Sequence, residues 1–153
     1  MKNRIQTSVF LMALMFLASC GKERILTPVA SDITCTSCKE SVENESVPAV
    51  GITGKAINNS ELQIDVMNVR MNCEISQTGV YATHVDGDRY RIDVTTQPGP
   101  QDCFCLRDLT FGISPMTPAK NYIFELRIDG AVLCEFDFLF PQSFSITVPQ
   151  EGS

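Results

Sequence analysis

Six cysteines beyond position 20 carry the most reactive side chains of this sequence, and their spacing bears on the chemistry they can perform. Residues 102–113 read DCFCLRDLTFGI, with two cysteines one residue apart at the start of an expected β-strand. Cysteines in such patterns serve as metal ligands, as a redox pair or as halves of structural disulfides. The six are Cys35, Cys38, Cys73, Cys103, Cys105 and Cys134.

An even number of cysteines in an exported chain favours disulfides, because thiols oxidise outside the cytoplasm. In a strand, residues two apart have Cβ atoms roughly 6.6 Å from each other, whereas a disulfide needs about 3.8 Å, so Cys103 should not bond Cys105. A C-x-x-C bond between Cys35 and Cys38 closes readily in a turn-prone segment. Two schemes then stay open: Cys73 with Cys103 and Cys105 with Cys134, which we favour, or Cys73 with Cys105 and Cys103 with Cys134.

Zinc and redox chemistry are weaker interpretations of the same residues. Cys35, Cys38, Cys103 and Cys105 could form a tetrahedral zinc set, but their thiols would have to stay reduced in an oxidising compartment. A catalytic pair at Cys35 and Cys38 would need a lowered thiol pKa in a thioredoxin-like βαβ context, which the sequence lacks. We expect no metal and no cofactor, and we keep the redox pair as the alternative function.

Other catalytic arrangements find little support. Nucleophilic catalysis needs a base held beside the nucleophile, and His84, the single histidine of the chain, precedes an Asp-Gly turn where an exposed strand residue is expected. We therefore expect no catalytic residues and a protein that is not an enzyme.

The first nineteen residues are typical of an export signal. Lys2 and Arg4 precede the apolar run Val9–Ala18, which is shorter than the roughly 20 residues that a membrane-spanning helix needs. The following residues LASC-Gly21 resemble a bacterial lipoprotein signal. That resemblance implies cleavage before Cys20, a lipid on its sulfur, and a chain anchored in the bacterial envelope. We expect the outer rather than the inner membrane, and the side that the domain faces stays open.

Charge narrows the range of partners. Residues 1–19 contain two of the twelve Lys and Arg residues and none of the eighteen Asp and Glu residues, so the remaining chain carries a net charge of −8. Such an acidic surface argues against nucleic acid and anionic lipid headgroups as binding partners. The partners we expect are the membrane, reached through the lipid on Cys20, and an envelope protein or a glycan.

Alternating apolar residues after Ser60 indicate half-buried strands. Leu62, Ile64 and Val66 share one parity and Val69 and Met71 the other, which predicts a bend at Met67-Asn68. The pairs Asp86-Gly87 and Asp129-Gly130 predict hairpins. The expected fold is an all-β, antiparallel, immunoglobulin-like sandwich of seven or eight strands.

The expected domain organisation has three parts. Residues 1–19 are the signal peptide, residues 20–60 a tether and irregular segment, and residues 61–150 the sandwich. A capping-box pattern at Ser37–Glu40 predicts one short helix in the irregular segment.

Two resemblances support this fold. The stretch Ile113–Ile128 (ISPMTPAKNYIFELRI) resembles the corner before strand F in fibronectin type III and other immunoglobulin-like domains. This implies that the hydroxyl of Tyr122 ties the corner to the backbone. The order Asn72-Cys73, Asp-Gly hairpin, Cys103-Phe104-Cys105 and Asp108–Phe111 resembles small uncharacterised lipoproteins of Gram-negative bacteria with a C-x-C-x-x-D-L strand. That resemblance implies fold and location, and no activity.

Overall fold

The computed structural model describes residues 27–39, 47–100 and 103–150, which form nine β-strands and no helix. The all-β prediction is thereby confirmed, whereas the signal peptide and Cys20 lie outside the described residues. The strands are β1 (Val29–Cys35), β2 (Val50–Asn58), β3 (Glu61–Asn72), β4 (Ile75–Asp86), β5 (Arg89–Pro98), β6 (Phe104–Ser114), β7 (Asn121–Ile128), β8 (Ala131–Leu139) and β9 (Phe144–Val148).

The strands form two sheets that pack as a sandwich. Sheet A has the order β1-β6-β3-β2-β9, and sheet B has the order β4-β5-β7-β8. All pairings are antiparallel except that of β5 with β7, which is parallel, so sheet B is mixed. The finer assignment to an immunoglobulin-like topology stays a prediction.

A single apolar core lies between the sheets. Alternate residues of β3, Leu62, Ile64 and Val66, are fully buried, and so are Phe124 and Leu126 of β7 in the opposite sheet. No charged residue is buried within the described ranges. Burial at about 25 cal/mol per Å² of apolar surface supplies the main stabilisation of such a sandwich.

Turn residues determine where the strands bend and reverse. The register of β3 against β6 shifts between Val66 and Val69, and Asn68 there has a φ of 62°, at the predicted bend. Gly87 has a positive φ in the β4–β5 hairpin, and Asp129 and Gly130 have positive φ between β7 and β8. Both hairpins therefore form where the Asp-Gly pairs predict them.

The predicted corner contact is present. The backbone N–H of Thr117 donates a 2.7 Å hydrogen bond to the hydroxyl of Tyr122, whose side chain is 2% exposed. This bond closes the loop before β7 onto the core.

The prediction of an irregular segment over residues 20–60 is wrong for two stretches. Strands β1 and β2 lie within it and belong to sheet A, so the sandwich begins before residue 61. The inward positions of β2 include Gly54 and Ala56, whose small side chains weaken the apolar pattern. In β1 the alternation is interrupted at Asp32, where φ is 51° and the register against β6 shifts.

The described residues also show no helix beginning at Ser37, where the sequence predicts one. Residues 36–39 belong to no helix or strand, and residues 40–46 lie outside the described residues. Among the residues described, there is no helix with the length and apolar character needed to cross a membrane.

Candidate functional site

Four cysteines meet at one end of sheet A in two disulfides. Cys38 bonds Cys105 with a Cα–Cα distance of 5.6 Å, and Cys73 bonds Cys103 with a Cα–Cα distance of 5.5 Å. Both distances lie in the usual range for disulfides. Cys38 follows β1, Cys73 follows β3, and Cys103 and Cys105 lie at the start of β6, so the bonds join the ends of three neighbouring strands.

These bonds match neither of the two predicted schemes as a whole. The Cys73–Cys103 bond is the first bond of the favoured scheme, but Cys35 and Cys134 are free thiols. The C-x-x-C segment lies along β6, with Cys35 opposite Leu109 and Cys38 bonded to Cys105, so its two sulfurs do not bond each other. Cys134 pairs in register with Leu126 of sheet B, away from the β6 end of sheet A.

Residues 36–39 continue the β1 edge past the end of the strand. The N–H of Thr36 donates to the carbonyl oxygen of Asp108 at 2.9 Å, and the N–H of Lys39 donates to that of Leu106 at 3.0 Å. The Lys39 ammonium also forms an ion pair with the Asp108 carboxylate. These contacts hold Cys38 beside β6.

The carboxylate of Asp108 is stabilised in its charged form. Partial burial by itself would raise its pKa. Three interactions outweigh this effect and lower the pKa: the hydrogen bond from Lys39, the 2.9 Å hydrogen bond from the N–H of Asn68, and the positive charge of Lys39. The contribution of this ion pair is therefore present at neutral pH and is lost as the pH falls through the lowered pKa.

A third sulfur lies beside the Cys38–Cys105 bond. The Sγ atoms of Cys38, Cys73 and Cys105 all lie within 4.8 Å of one another. Cys38 is exposed, Cys73 is half-buried and Cys105 is buried. The cluster therefore reaches from solvent to the interior of the sheet end. We call these three residues the sulfur cluster.

The guanidinium of Arg107 lies over the sulfur cluster. Its Nη1 donates to the carbonyl oxygen of Thr36 at 2.7 Å, and its Nη2 donates to that of Cys73 at 2.6 Å. The same Nη2 lies 3.6 Å from the Sγ of Cys38. Two backbone carbonyls thus fix a positive charge next to the exposed sulfur.

Within residues 27–39, 47–100 and 103–150, the sulfur cluster is the one group of Cys, His, Asp or Glu side chains that has metal-ligand spacing. It differs from the zinc set considered from the sequence, since Cys35 is outside it and Cys73 is inside. All three sulfurs are committed to disulfides, and a disulfide sulfur is not the thiolate that zinc requires.

The two free thiols differ from the cluster in their surroundings. Cys35 is half-buried at the end of β1. Cys134 is half-buried in β8, and burial raises the pKa of its thiol from 9.0 to about 11. Because the thiolate is the nucleophile, Cys134 is a poor reactant at neutral pH.

A second site is a shallow groove on the outer face of sheet B. It has a volume of about 230 Å³ and lies over neighbouring residues of β4 and β5. Tyr81 is 60% exposed there, and its ring lies against Gly79, where a Cβ atom would come within 3.0 Å of Cε2 and Oη. The groove is lined by Gln77, Gly79, Tyr81, Thr95, Thr96 and Gln97.

The lining of the groove carries amide and hydroxyl groups and no charge. Thr95 adds a hydroxyl 3.1 Å from the position of a Gly79 Cβ, and Thr96 Oγ1 donates to Asp129 at 2.7 Å. Among the charged residues of the same sheet, Arg91 and Arg127 pair with Glu125, and Asp93 lies opposite Tyr81 in register. This groove can therefore offer hydrogen bonds and an aromatic surface to an uncharged ligand.

His84 has a local structural role. Its Nε2 lies 2.9 Å from the carbonyl oxygen of Gly87, and its ring centroid lies 5.1 Å from that of Tyr90. The sequence predicts an exposed strand residue at this position; His84 does lie in β4, but it is half-buried.

No motif or spacing in the sequence identifies Tyr81 as a site residue. The available signal is its parity, since it alternates outward with Gly79 between the inward residues Val80 and Ala82.

Comparison with known proteins gives no match to a protein family, to a curated protein or to a solved structure.

Proposed function

We propose that this protein is a lipid-anchored module of the bacterial envelope that binds a neutral glycan and performs no hydrolytic catalysis. The signal-like residues before Cys20 support the anchor and the location. The groove over β4 and β5 supports the ligand class. The observation that carries the proposal is the exposed Tyr81 ring, set among neutral hydrogen-bonding side chains.

A sugar ring matches this surface in two ways. Its apolar C–H face can stack on the open part of the Tyr81 ring, since the other side of that ring is supported by Gly79. Its hydroxyl groups both donate and accept hydrogen bonds, and Gln77, Gln97 and Thr95 supply both functions.

The size and charge of the groove restrict the ligand further. At about 230 Å³ it is smaller than the roughly 300–1,000 Å³ pockets of drug-sized ligands, so it suits one ring of an exposed polymer. The net charge of −8 after residues 1–19 opposes an anionic glycan.

The proposal predicts that Tyr81→Ala abolishes glycan binding without loss of folding. The full-length protein would be tested on an array of neutral and acidic oligosaccharides, and the best neutral probe would then be titrated by NMR. Val132→Ala is the matched control, because Val132 is 56% exposed on β8 at the far edge of the same sheet.

Two outcomes contradict the proposal. One is that no neutral oligosaccharide binds the wild-type protein. The other is that Tyr81→Ala and Val132→Ala bind a neutral probe equally well, which would remove the groove from the binding site.

The alternative redox function cannot use Cys35 and Cys38 as a bonded pair, as the sequence suggests. Cys35 and Cys38 are not bonded to each other, since Cys38 is bonded to Cys105 and Cys35 is free. A thiol–disulfide role would therefore have to use the sulfur cluster.

A further inference from the structure

Two structural crosslinks do not require their sulfurs to lie near each other, yet here they do. The Sγ of Cys73, which is bonded to Cys103, lies within 4.8 Å of both sulfurs of the Cys38–Cys105 bond. Disulfides exchange when a thiolate attacks a neighbouring disulfide sulfur. A released Cys73 thiolate would already be beside its target.

We propose that the sulfur cluster is a thiol–disulfide exchange site, in which Cys73 transfers between Cys103 and Cys105 and Cys38 is released. The reactant class that starts the exchange is a dithiol reductant. The proposal uses none of the groove residues, so it is independent of the glycan proposal and can fail separately.

The first step opens the Cys73–Cys103 bond. One thiolate of the dithiol attacks the Sγ of Cys103, forming a mixed disulfide, and Cys73 leaves with the electron pair as a thiolate. The second thiol of the reductant loses its proton to solvent and attacks the first, so the reductant becomes a cyclic disulfide. Cys103 is released and takes up a proton from solvent.

The second step takes place within the chain. The Cys73 thiolate attacks the Sγ of Cys105, so that the Cys73–Cys105 bond forms, the Cys38–Cys105 bond breaks and the electron pair leaves on Cys38. In sum, the dithiol loses two electrons, and the protein gains thiols at Cys103 and Cys38 while one disulfide remains.

The surroundings of the two target sulfurs determine which of them Cys73 attacks. Attack on Cys105 releases Cys38, which is exposed and has Arg107 at 3.6 Å to stabilise its negative charge. Attack on Cys38 would release Cys105 as a thiolate at a site 1% exposed, where desolvation opposes the charge. Because the more stable thiolate leaves faster, Cys38 is the leaving thiol.

The exchange delivers a reactive group to the surface. Cys103 and Cys73 are half-buried, whereas the released Cys38 lies in an exposed segment that contacts β6 through residues 36–39. From there the Cys38 thiolate can attack a disulfide of another protein.

The direct test is partial reduction of the full-length protein. The protein is treated with one equivalent of dithiothreitol, quenched with acid, alkylated and mapped by mass spectrometry. We expect new alkylation at Cys38 and Cys103 together with a Cys73–Cys105 crosslink. New thiols at Cys73 and Cys103 with Cys38–Cys105 intact, or at Cys38 and Cys105 with Cys73–Cys103 intact, would overturn the proposal.

A variant tests the second step without any reductant. Cys103→Ser leaves Cys73 without its partner, and we expect the same mapping to find most molecules with Cys73 bonded to Cys105 and Cys38 alkylated. Alkylation of Cys73 alone contradicts the exchange. Cys134→Ser is the matched control, since it also removes one sulfur but should keep both native bonds. If Cys103→Ser does not fold, the partial reduction of the wild type decides.

Arg107 is assigned as a positioning residue for the leaving thiolate. Adding Arg107→Gln to Cys103→Ser should lower the ratio of alkylated Cys38 to alkylated Cys73 by about threefold to tenfold, because a neutral neighbour stabilises the thiolate less. Arg107→Lys, which keeps the charge, should recover part of that ratio. An unchanged ratio in Arg107→Gln would remove Arg107 from the assignment.

Discussion

At the scale of single residues, the cysteines divide into bonded and free ones whose loss should have unequal effects. The Cys73–Cys103 bond joins residues 30 apart in sequence, and the Cys38–Cys105 bond joins residues 67 apart. Each bond restricts the unfolded chain over its loop. By the loop-entropy estimate, this adds about 4 kcal/mol per bond to the free energy of unfolding.

We therefore predict that Cys73→Ser lowers the free energy of unfolding by about 4 kcal/mol. Cys35→Ser, which removes a free half-buried thiol, should lower it by less than about 1 kcal/mol. Denaturant titration of the oxidised proteins measures both values. Equal losses in the two variants would mean that the Cys73–Cys103 bond does not contribute to stability.

The raised pKa of Cys134 predicts a loss of stability at high pH. In the unfolded chain the thiol ionises near its ordinary pKa of 9.0, whereas in the folded protein it keeps its proton up to about 11. Stability is therefore unaffected below the unfolded pKa and falls as the pH rises towards the folded value, by about 1 kcal/mol after allowance for partial exposure.

Other groups also titrate in this range, so the measurement is a comparison. Denaturation midpoints of the wild type and Cys134→Ala are recorded from about pH 8 to about pH 11. The difference between the two proteins should change over that interval in favour of Cys134→Ala. A constant difference would show that the thiol is not protected from ionisation in the folded state.

At the scale of strands, the contact between β2 and β9 depends on a glycine. Gly54 lies opposite Phe144 in register, and a Cβ atom at Gly54 would overlap the Phe144 ring. Gly51, three residues earlier in β2, would place its Cβ 3.0 Å from the terminal methyl group of Met67, which can move aside.

We predict that Gly54→Ala lowers the free energy of unfolding by about 1–3 kcal/mol, since the displaced ring disturbs the pairing of an edge strand. Gly51→Ala is the matched control in the same strand and should be nearly neutral. Thermal and denaturant unfolding of the two variants measure the difference. A loss in Gly51→Ala as large as that in Gly54→Ala would show that backbone effects, and not the ring, are responsible.

The same strands show how far the sequence predicts the fold. Where a strand has large apolar residues at alternate positions, as β3 does, the sequence locates both the strand and its bend at Asn68. It misses β2, because Gly54 takes an inward position with no side chain and the partner that fills the space, Phe144, is ninety residues away along the chain.

The disulfides were only partly predictable for a related reason. Excluding a bond between Cys103 and Cys105 needs only the geometry of one strand. The partner of Cys38 depends on residues 36–39 lying along β6, and the contacts that hold them there, such as Lys39 on Asp108, join positions sixty-nine residues apart. No local pattern in the sequence contains that information.

At the scale of the whole molecule, the disulfides and the aromatic contacts strengthen different connections. The disulfides join the ends of β1, β3 and β6 within sheet A. Phe144 of β9 lies 4.9 Å, between ring centroids, from both Phe136 and Phe138 of β8, which links sheet A to sheet B. Such aromatic pairs contribute about 0.5–1.5 kcal/mol each beyond the area they bury.

The location of the molecule rests on Cys20, which yields the last prediction. If Cys20 carries the lipid, Cys20→Ser should eliminate incorporation of labelled palmitate and move the protein from the membrane fraction to the soluble fraction. Several acyl chains bury enough methylene groups, at about 0.8 kcal/mol each, for a stable anchor. Cys35→Ser is the control, because it changes a cysteine of the folded domain and should keep the label. Palmitate retained by Cys20→Ser, or absent from the wild type, would contradict the envelope location, whereas the two disulfides and the groove would be unaffected.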